Sequence, residues 1–447
     1  MFQHTLLCLA FISVATQSFV IAHGGHGHKI RRRYFQDWSQ PHDHSVNKLF
    51  KRGGDGAQYP EVGSSDWAAK YPPANGKTPD QSLTPKEWLD ALNVAVAAGT
   101  IPAVDRTTIP RNSAGDVTGA PVYPKNQDPT GPGICSATYQ CRAADDVWDG
   151  PDGTFAISFD DGPLPSTSIL VDFLKQNNEI ATHFMIGANV RNNPQRFLDV
   201  FNYGGDCAVH TWSHPYMTSL SNEDIVAELG WTMQIIHDST GGKVPKMWRP
   251  PTGDADVRVR AIAKEVFGLK TVIWNRDSAD WRISLGQQTL DGVNSDMDKW
   301  LTGPKTPGLV VLEHELTNLT VQGFTGNYPK IKSNGWNTKS LAQLFGDAYQ
   351  NVNGDQVTPA SVNHQASGNA LLNTTSDSVS STTTTSQTIS SVATSTPRTA
   401  TVTTSSSSGT STSSSSNKTN SNSALPSNMF SQWFAAIFAS TLIISLS

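Results

Sequence analysis

The 447-residue chain is short of charge: only 16% of its residues are Asp, Glu, Lys or Arg, against about 25% in an ordinary soluble domain. Some stretch of it must therefore be nearly uncharged. It also lacks a basic excess, with 33 Lys and Arg against 38 Asp and Glu and a formal net charge of −5. That excludes a nucleic-acid partner, because such proteins neutralise phosphates with clustered Lys and Arg. With four cysteines it is no disulfide-stapled scaffold. The length exceeds one ordinary domain and points to two or three segments.

The ends account for the missing charge. Thr5 to Ala22 is an apolar run in which small or apolar Val20 and Ala22 suit a cleavage site, and residues 1–22 read as a secretory signal peptide cleaved after Ala22; the alternative is a buried N-terminal helix. Residues 23–52 carry His23, His26, His28, Arg31 to Arg33 and the dibasic Lys51-Arg52. This reads as a solvated pro-segment cut after Arg52, with weak metal binding by its histidines as the other reading. From Leu371 to Asn420 roughly two residues in three are Ser or Thr. Such a segment buries no core, and residues 351–423 read as an O-glycosylated stalk. Small residues around Asn422, a spacer and the apolar tail Trp433 to Ser447 match a GPI-attachment signal over 424–447, with Asn422 as the anchor site. A membrane span is the competing reading. The apolar run is shorter than the ~20 residues a spanning helix needs and has no basic flank. Asn318, Asn373 and Asn417 each open an N-x-Ser/Thr sequon. The expected location is outside the cell, GPI-anchored at the plasma membrane and cell wall, and the expected state is a monomer.

Residues 53–150, rich in Pro, Gly and Asn, read as an N-terminal extension packed on a larger domain. One helix stands out there: Thr84-Pro85-Lys86-Glu87 has the form of a capping box with Pro at the first helical position. Leu89, Leu92 and Val96 follow at helical spacing, and Gly99 ends it. Over 151–350, short apolar runs (Phe155 to Phe159, Ala181 to Ile186, Cys207 to His210, Met247-Trp248, Thr271 to Trp274, Leu309 to Leu312) alternate with helical patterns. This predicts an α/β fold, a distorted (β/α) barrel of about seven parallel strands. Asp160-Asp161, His210, Arg249, Asp277, Asp280 and His314 all stand where predicted strands end, which is where barrel enzymes assemble their sites.

Asp160-Asp161 puts two carboxylates side by side, an arrangement that needs a cation or a proton; the bland reading is the start of a surface loop. His210 and His214 are the only histidines four apart, and on a helical turn they would share one face. With Asp161 they make the ligand set of a catalytic zinc site, one carboxylate and two imidazoles. Asp160 is then the natural base and His314, in Leu312-Glu313-His314-Glu315, the natural acid.

Ser158-Phe159-Asp160-Asp161, His210-x-x-x-His214, Arg249-Pro250-Pro251-Thr252-Gly253, Asp277-x-x-Asp280-Trp281 and Leu312-x-His314 stand in the order of the polysaccharide deacetylase family. The stretch from Thr154 to Leu344 resembles these family four carbohydrate esterases with a NodB homology domain, and its flanking words are similar to fungal chitin deacetylases. The resemblance implies a divalent metal, zinc or cobalt, on Asp161, His210 and His214. It implies Asp160 as general base, oriented by Arg249, and His314 as general acid, tethered by Asp280 or Asp277. It implies a pocket for the acetyl methyl walled by Trp281 and Leu312, with Tyr216 and Thr252 at the substrate. Thr252 stands where the family usually has Tyr, so the groove wall there is in doubt. The implied reaction removes N-acetyl groups from chitin or chitin oligomers. A deacetylase of xylan or peptidoglycan is the runner-up, and a wall-binding mannoprotein without catalysis is the alternative of a different class. Cys135 and Cys141 are close enough for a small disulfide loop, and Cys207 reads as buried and free, the other assignment pairing it with one of them.

Overall fold

The computed structural model describes residues 40–41, 43–50 and 58–350. The signal, pro-segment, stalk and anchor assignments, with Asn373, Asn417 and Asn422, lie outside them in whole or in large part.

The central strand, β1 (Thr154–Gly162), is buried at all nine positions. A strand buried along its whole length, with Phe155, Ala156, Ile157 and Phe159 as its apolar part, suits a parallel sheet covered on both faces. It pairs in parallel with β2 (Thr182–Met185), and β2 with β3 (Asp206–Val209). A two-residue antiparallel pair, β4 (Val244–Pro245) with β10 (Tyr349–Gln350), stands apart. The main path runs on from β3 to β5 (Met247–Trp248) and β6 (Lys270–Thr271). On its other side β1 pairs with β8 (Leu309–Leu312), and β8 with β7 (Arg276–Asp277). β9 (Asn337–Ser340) pairs with the first half of β1, end to end with β2.

The two ends of this seven-strand path belong to one stretch of chain. Val272 donates its N–H to Trp248 on the β5 side, while Asn275 and Ser278 donate theirs to Val310 and Leu312 on the β8 side. Residues 270–278 therefore join the edges, and the sheet curls into the distorted parallel barrel expected from the sequence. Helices cover it, among them Thr167–Asn177, Asn222–Ser239, Val257–Phe267, Leu290–Leu301 and Asn318–Ser333.

The N-terminal extension shares the main core. Trp67, Trp88 and Leu92 are buried with Leu229, Met233 and Phe267. Trp67 Nε1 donates to Ser239 Oγ at 3.0 Å and Tyr71 Oη to Asp238 at 3.2 Å. Gly230 makes this approach feasible, because a Cβ there would meet the Trp88 ring at 2.5 Å.

Several local expectations need correction. The capping box at Thr84 does not form: the helix runs Lys86–Ala97 with extended Pro85 at its cap and no side-chain cap bond. Thr84 is one residue too early, and its hydroxyl is buried without a partner. The buried face of that helix is Trp88, Leu92 and Ala95, with Val96 exposed. In the helix Thr167–Asn177 the buried face is Leu170, Val171 and Leu174, and Ile169 is exposed. Cys135 and Cys141 form a disulfide, and Cys207 is free and buried in β3, its thiol pushed up to about 12 by burial.

Candidate active site

Neighbouring residues of a regular strand point to opposite faces, so Asp160 and Asp161 would part company. The end of β1 prevents that. Asp160 pairs with Phe184 and Gly162 with Met185, leaving Asp161 as the extra residue of a bulge with φ of 71°. A bulge re-aims a side chain in this way. Asn189 Nδ2 donates to the freed Asp161 carbonyl at 2.8 Å.

Asp160 faces Arg249, which is fully buried. One guanidinium nitrogen reaches Asp160 Oδ1 at 2.6 Å and another donates to Ser158 Oγ at 3.1 Å. The cation also lies 4.2 Å from the centre of the Phe184 ring. This geometry orients Asp160 and offsets its charge. Burial alone would push Arg249 down; Asp160 opposes that.

His210 follows β3. Its Nδ1 lies 2.7 Å from the Arg249 backbone carbonyl, which only accepts, so Nδ1 carries the proton and Nε2 has a free lone pair. That Nε2 lies 3.3 Å from Asp161 Oδ1, and His214 Nε2 lies 3.2 Å from the same oxygen. The sequence predicts a helical turn here; the structure has a tight loop instead, with Thr211 and His214 both left-handed at φ of 65° and 61°. The imidazoles converge because the loop reverses, not because a helix repeats.

The triad fits a metal ion. Its three donor atoms lie within 4.8 Å of one another, and Asp161 Oδ1 is buried without a hydrogen-bond partner. A tetrahedral ion bonded at roughly 2.0–2.1 Å would set adjacent donors roughly 3.3 Å apart, close to the two separations seen.

His314 continues β8. Its backbone bridges Asp160, so base and acid candidates sit side by side on adjacent strands. Asp280, not Asp277, tethers it: Oδ1 lies 2.6 Å from Nδ1 and Oδ2 accepts from its backbone N–H at 2.9 Å. Asp277 is exposed and caps Ala279 N–H at 2.8 Å. Burial would lower the His314 pKa, but the carboxylates of Asp280, first, and of Asp161 and Asp160 together raise the imidazole to about 10. Nδ1–H is committed to Asp280, which leaves Nε2 as the working nitrogen.

Trp281 and Leu312 are nearly buried beside these groups, Trp281 N–H donating to Asp280 Oδ1 at 2.8 Å. Thr252 is exposed with φ of 56°. Tyr216 is half-buried, its hydroxyl pushed up to about 12 by burial and by Asp254. Ser278 has no signal in the sequence, yet its Oγ links Leu312 O to Asp280 N–H. Half-buried Trp274 was also missed; it lies against Gly253 and within 5.9 Å of the Arg249 cation.

A family model described as polysaccharide deacetylase matches residues 149–272. Chitin deacetylase 3 of Cryptococcus neoformans var. neoformans serotype D is 47% identical over 317 residues, 70% of this chain and 73% of that protein. The chain belongs to the polysaccharide deacetylase family. Chitin deacetylase 1 of Saccharomyces cerevisiae is 38% identical over 216 residues, 47% of this chain and 66% of that one. Among solved structures, the chitin deacetylase from the fungal pathogen Colletotrichum lindemuthianum is similar over 47% of this chain and 97% of that chain, at 23% identity and a TM-score of 0.42. In this polysaccharide deacetylase the family match spans Asp160, Asp161, His210, His214 and Arg249. Asp280 and His314 lie beyond it, and the barrel brings them back to the same strand ends.

Proposed function

We propose that the protein is a chitin deacetylase that hydrolyses the N-acetyl groups of N-acetylglucosamine units with a divalent metal, zinc or cobalt, on Asp161, His210 and His214. The observation that carries this reading is the junction of that triad with Asp160 and His314 at the ends of β1, β3 and β8. The relatives named above supply the substrate class.

When bound, the ion polarises the acetamide carbonyl and lowers the pKa of water. Asp160, held by Arg249, takes the proton from the water that attacks the carbonyl carbon. Nearly buried Trp281 and Leu312 shape an apolar wall for the acetyl methyl. His314, kept protonated by Asp280, gives its Nε2 proton to the departing nitrogen as the C–N bond breaks. Acetate and a glucosamine unit result. Residues 107–141 pack beside the loops that carry Tyr216 and Thr252, through Thr107 on Thr218 and Thr138 on Asp254.

The apolar N-terminal run, the Ser/Thr-rich stretch and the apolar tail support secretion and GPI anchoring at the cell surface, with exposed Asn318 as a glycan site. Release of the protein from cells by a phosphatidylinositol-specific phospholipase would support the anchor, and retention would oppose it. For the activity, acetate release is compared on chitin oligomers, acetylated xylan and peptidoglycan. The fastest turnover is expected on chitin oligomers; acetate from xylan or peptidoglycan alone would overturn the substrate assignment.

A further inference from the structure

The loop between the two metal-ligating histidines is wired to a residue that no metal, acid or base role accounts for. Glu228 lies in the helix Asn222–Ser239 and is fully buried. Its Oε2 accepts from the backbone N–H of Trp212 at 2.7 Å and of Ser213 at 2.8 Å, and its Oε1 from Ser213 Oγ at 2.5 Å. The rest of the loop is tied as completely. His214 N–H donates to Thr211 Oγ1 at 3.0 Å. The carbonyls of Thr211 and Trp212 accept from Gly187 and Ala188, each at 3.0 Å.

A buried carboxylate is unfavourable unless hydrogen bonds satisfy it, and burial pushes the Glu228 carboxyl upward. The loop in turn needs an acceptor. Thr211 and His214 hold left-handed backbone that residues with a Cβ avoid, and two consecutive N–H groups inside a buried loop would otherwise be orphaned. Each side answers the other's need, and the result fixes where His214 stands relative to His210.

We propose that Glu228 is a positioning residue for the metal site: it sets the His210–His214 loop in its ligating shape before the metal arrives, and so sets metal affinity. The proposal rests on the metal-binding reading of the triad but not on the substrate. Groups that orient metal ligands typically change metal affinity by roughly 10–100-fold when removed.

The test is Zn²⁺ affinity of the full-length apoprotein, by competition with a chromophoric chelator, alongside thermal unfolding without metal. Glu228→Ala removes the three acceptor contacts to the loop and is expected to weaken Zn²⁺ binding by about 10–100-fold. Glu228→Gln keeps the shape but gives up the charge of these hydrogen bonds, about half their strength, and is expected to weaken binding by about 3–10-fold. A merely structural role would lower the melting temperature and leave affinity unchanged well below it. Affinity within twofold of wild type in folded Glu228→Ala, or in Glu228→Gln where the alanine variant does not fold, would overturn the proposal. A wild-type protein without measurable Zn²⁺ affinity would overturn the metal reading itself.

Discussion

Asp160 and Asp161 are adjacent in sequence and divided in role by what surrounds them. Asp160 meets a buried guanidinium at 2.6 Å, and Asp161 meets two imidazole nitrogens at 3.2–3.3 Å. Asp160→Asn should therefore lower kcat by roughly 10²–10⁴ in steady-state acetate-release assays while Zn²⁺ affinity is kept. It should also lower stability by up to about 3–5 kcal/mol in denaturant unfolding, because Arg249 is left buried without its anion. Retained turnover would remove Asp160 from the base role. Asp280→Asn acts on the acid. The imidazole of His314 is raised to about 10 by Asp280, with Asp161 and Asp160, against burial; without the Asp280 carboxylate the pKa falls from that value. The acid form is then lost at lower pH, so the alkaline limb of the kcat–pH profile should move toward neutrality. An unmoved limb would show that another group sets it. These residues were legible because each stands at a predicted strand end in a recognisable spacing. Glu228 was not: the spacing of Ile225, Leu229 and Met233 marks a helix face but gives a Glu at its flank no role, and only the tertiary contact shows what it holds.

At the scale of elements, the site depends on irregularities that periodicity does not report. The bulge at Asp161 and the left-handed loop from Thr211 to His214 turn side chains onto one face. A strand or helix template predicts neither, because each is held by groups distant in sequence, Asn189 and Glu228 among them. Gly162 shows the tightness of the fit: a Cβ there would collide with the buried side chain of Glu315, itself 3.0 Å from His183 Nδ1. Gly162→Ala should destabilise by about 1–3 kcal/mol, as overpacking does, read as a lower melting temperature of the apoprotein. An unchanged melting temperature would mean that Glu315 swings aside.

For the whole molecule, the alternation of apolar runs and helical patterns made the barrel legible. Its closure was not, because it depends on 270–278 changing partners midway, from Trp248 to Val310 and Leu312. The extension is more than an appendage, since Trp67, Trp88 and Leu92 complete the core around Asn222–Ser239. A chain beginning at Gly150 should thus fail to give soluble folded protein, checked by circular dichroism and size-exclusion chromatography; a monomeric, cooperatively melting product would contradict that. A metal held by Asp161, His210 and His214 is proposed to serve hydrolysis of the acetamide on chitin. This role is tested most directly by acetate release from chitin oligomers with protein as prepared, after chelation, and after Zn²⁺ is restored. Chelation should abolish release and Zn²⁺ should restore it. Chelated protein, shown to be metal-free, that releases acetate at the untreated rate would contradict that role.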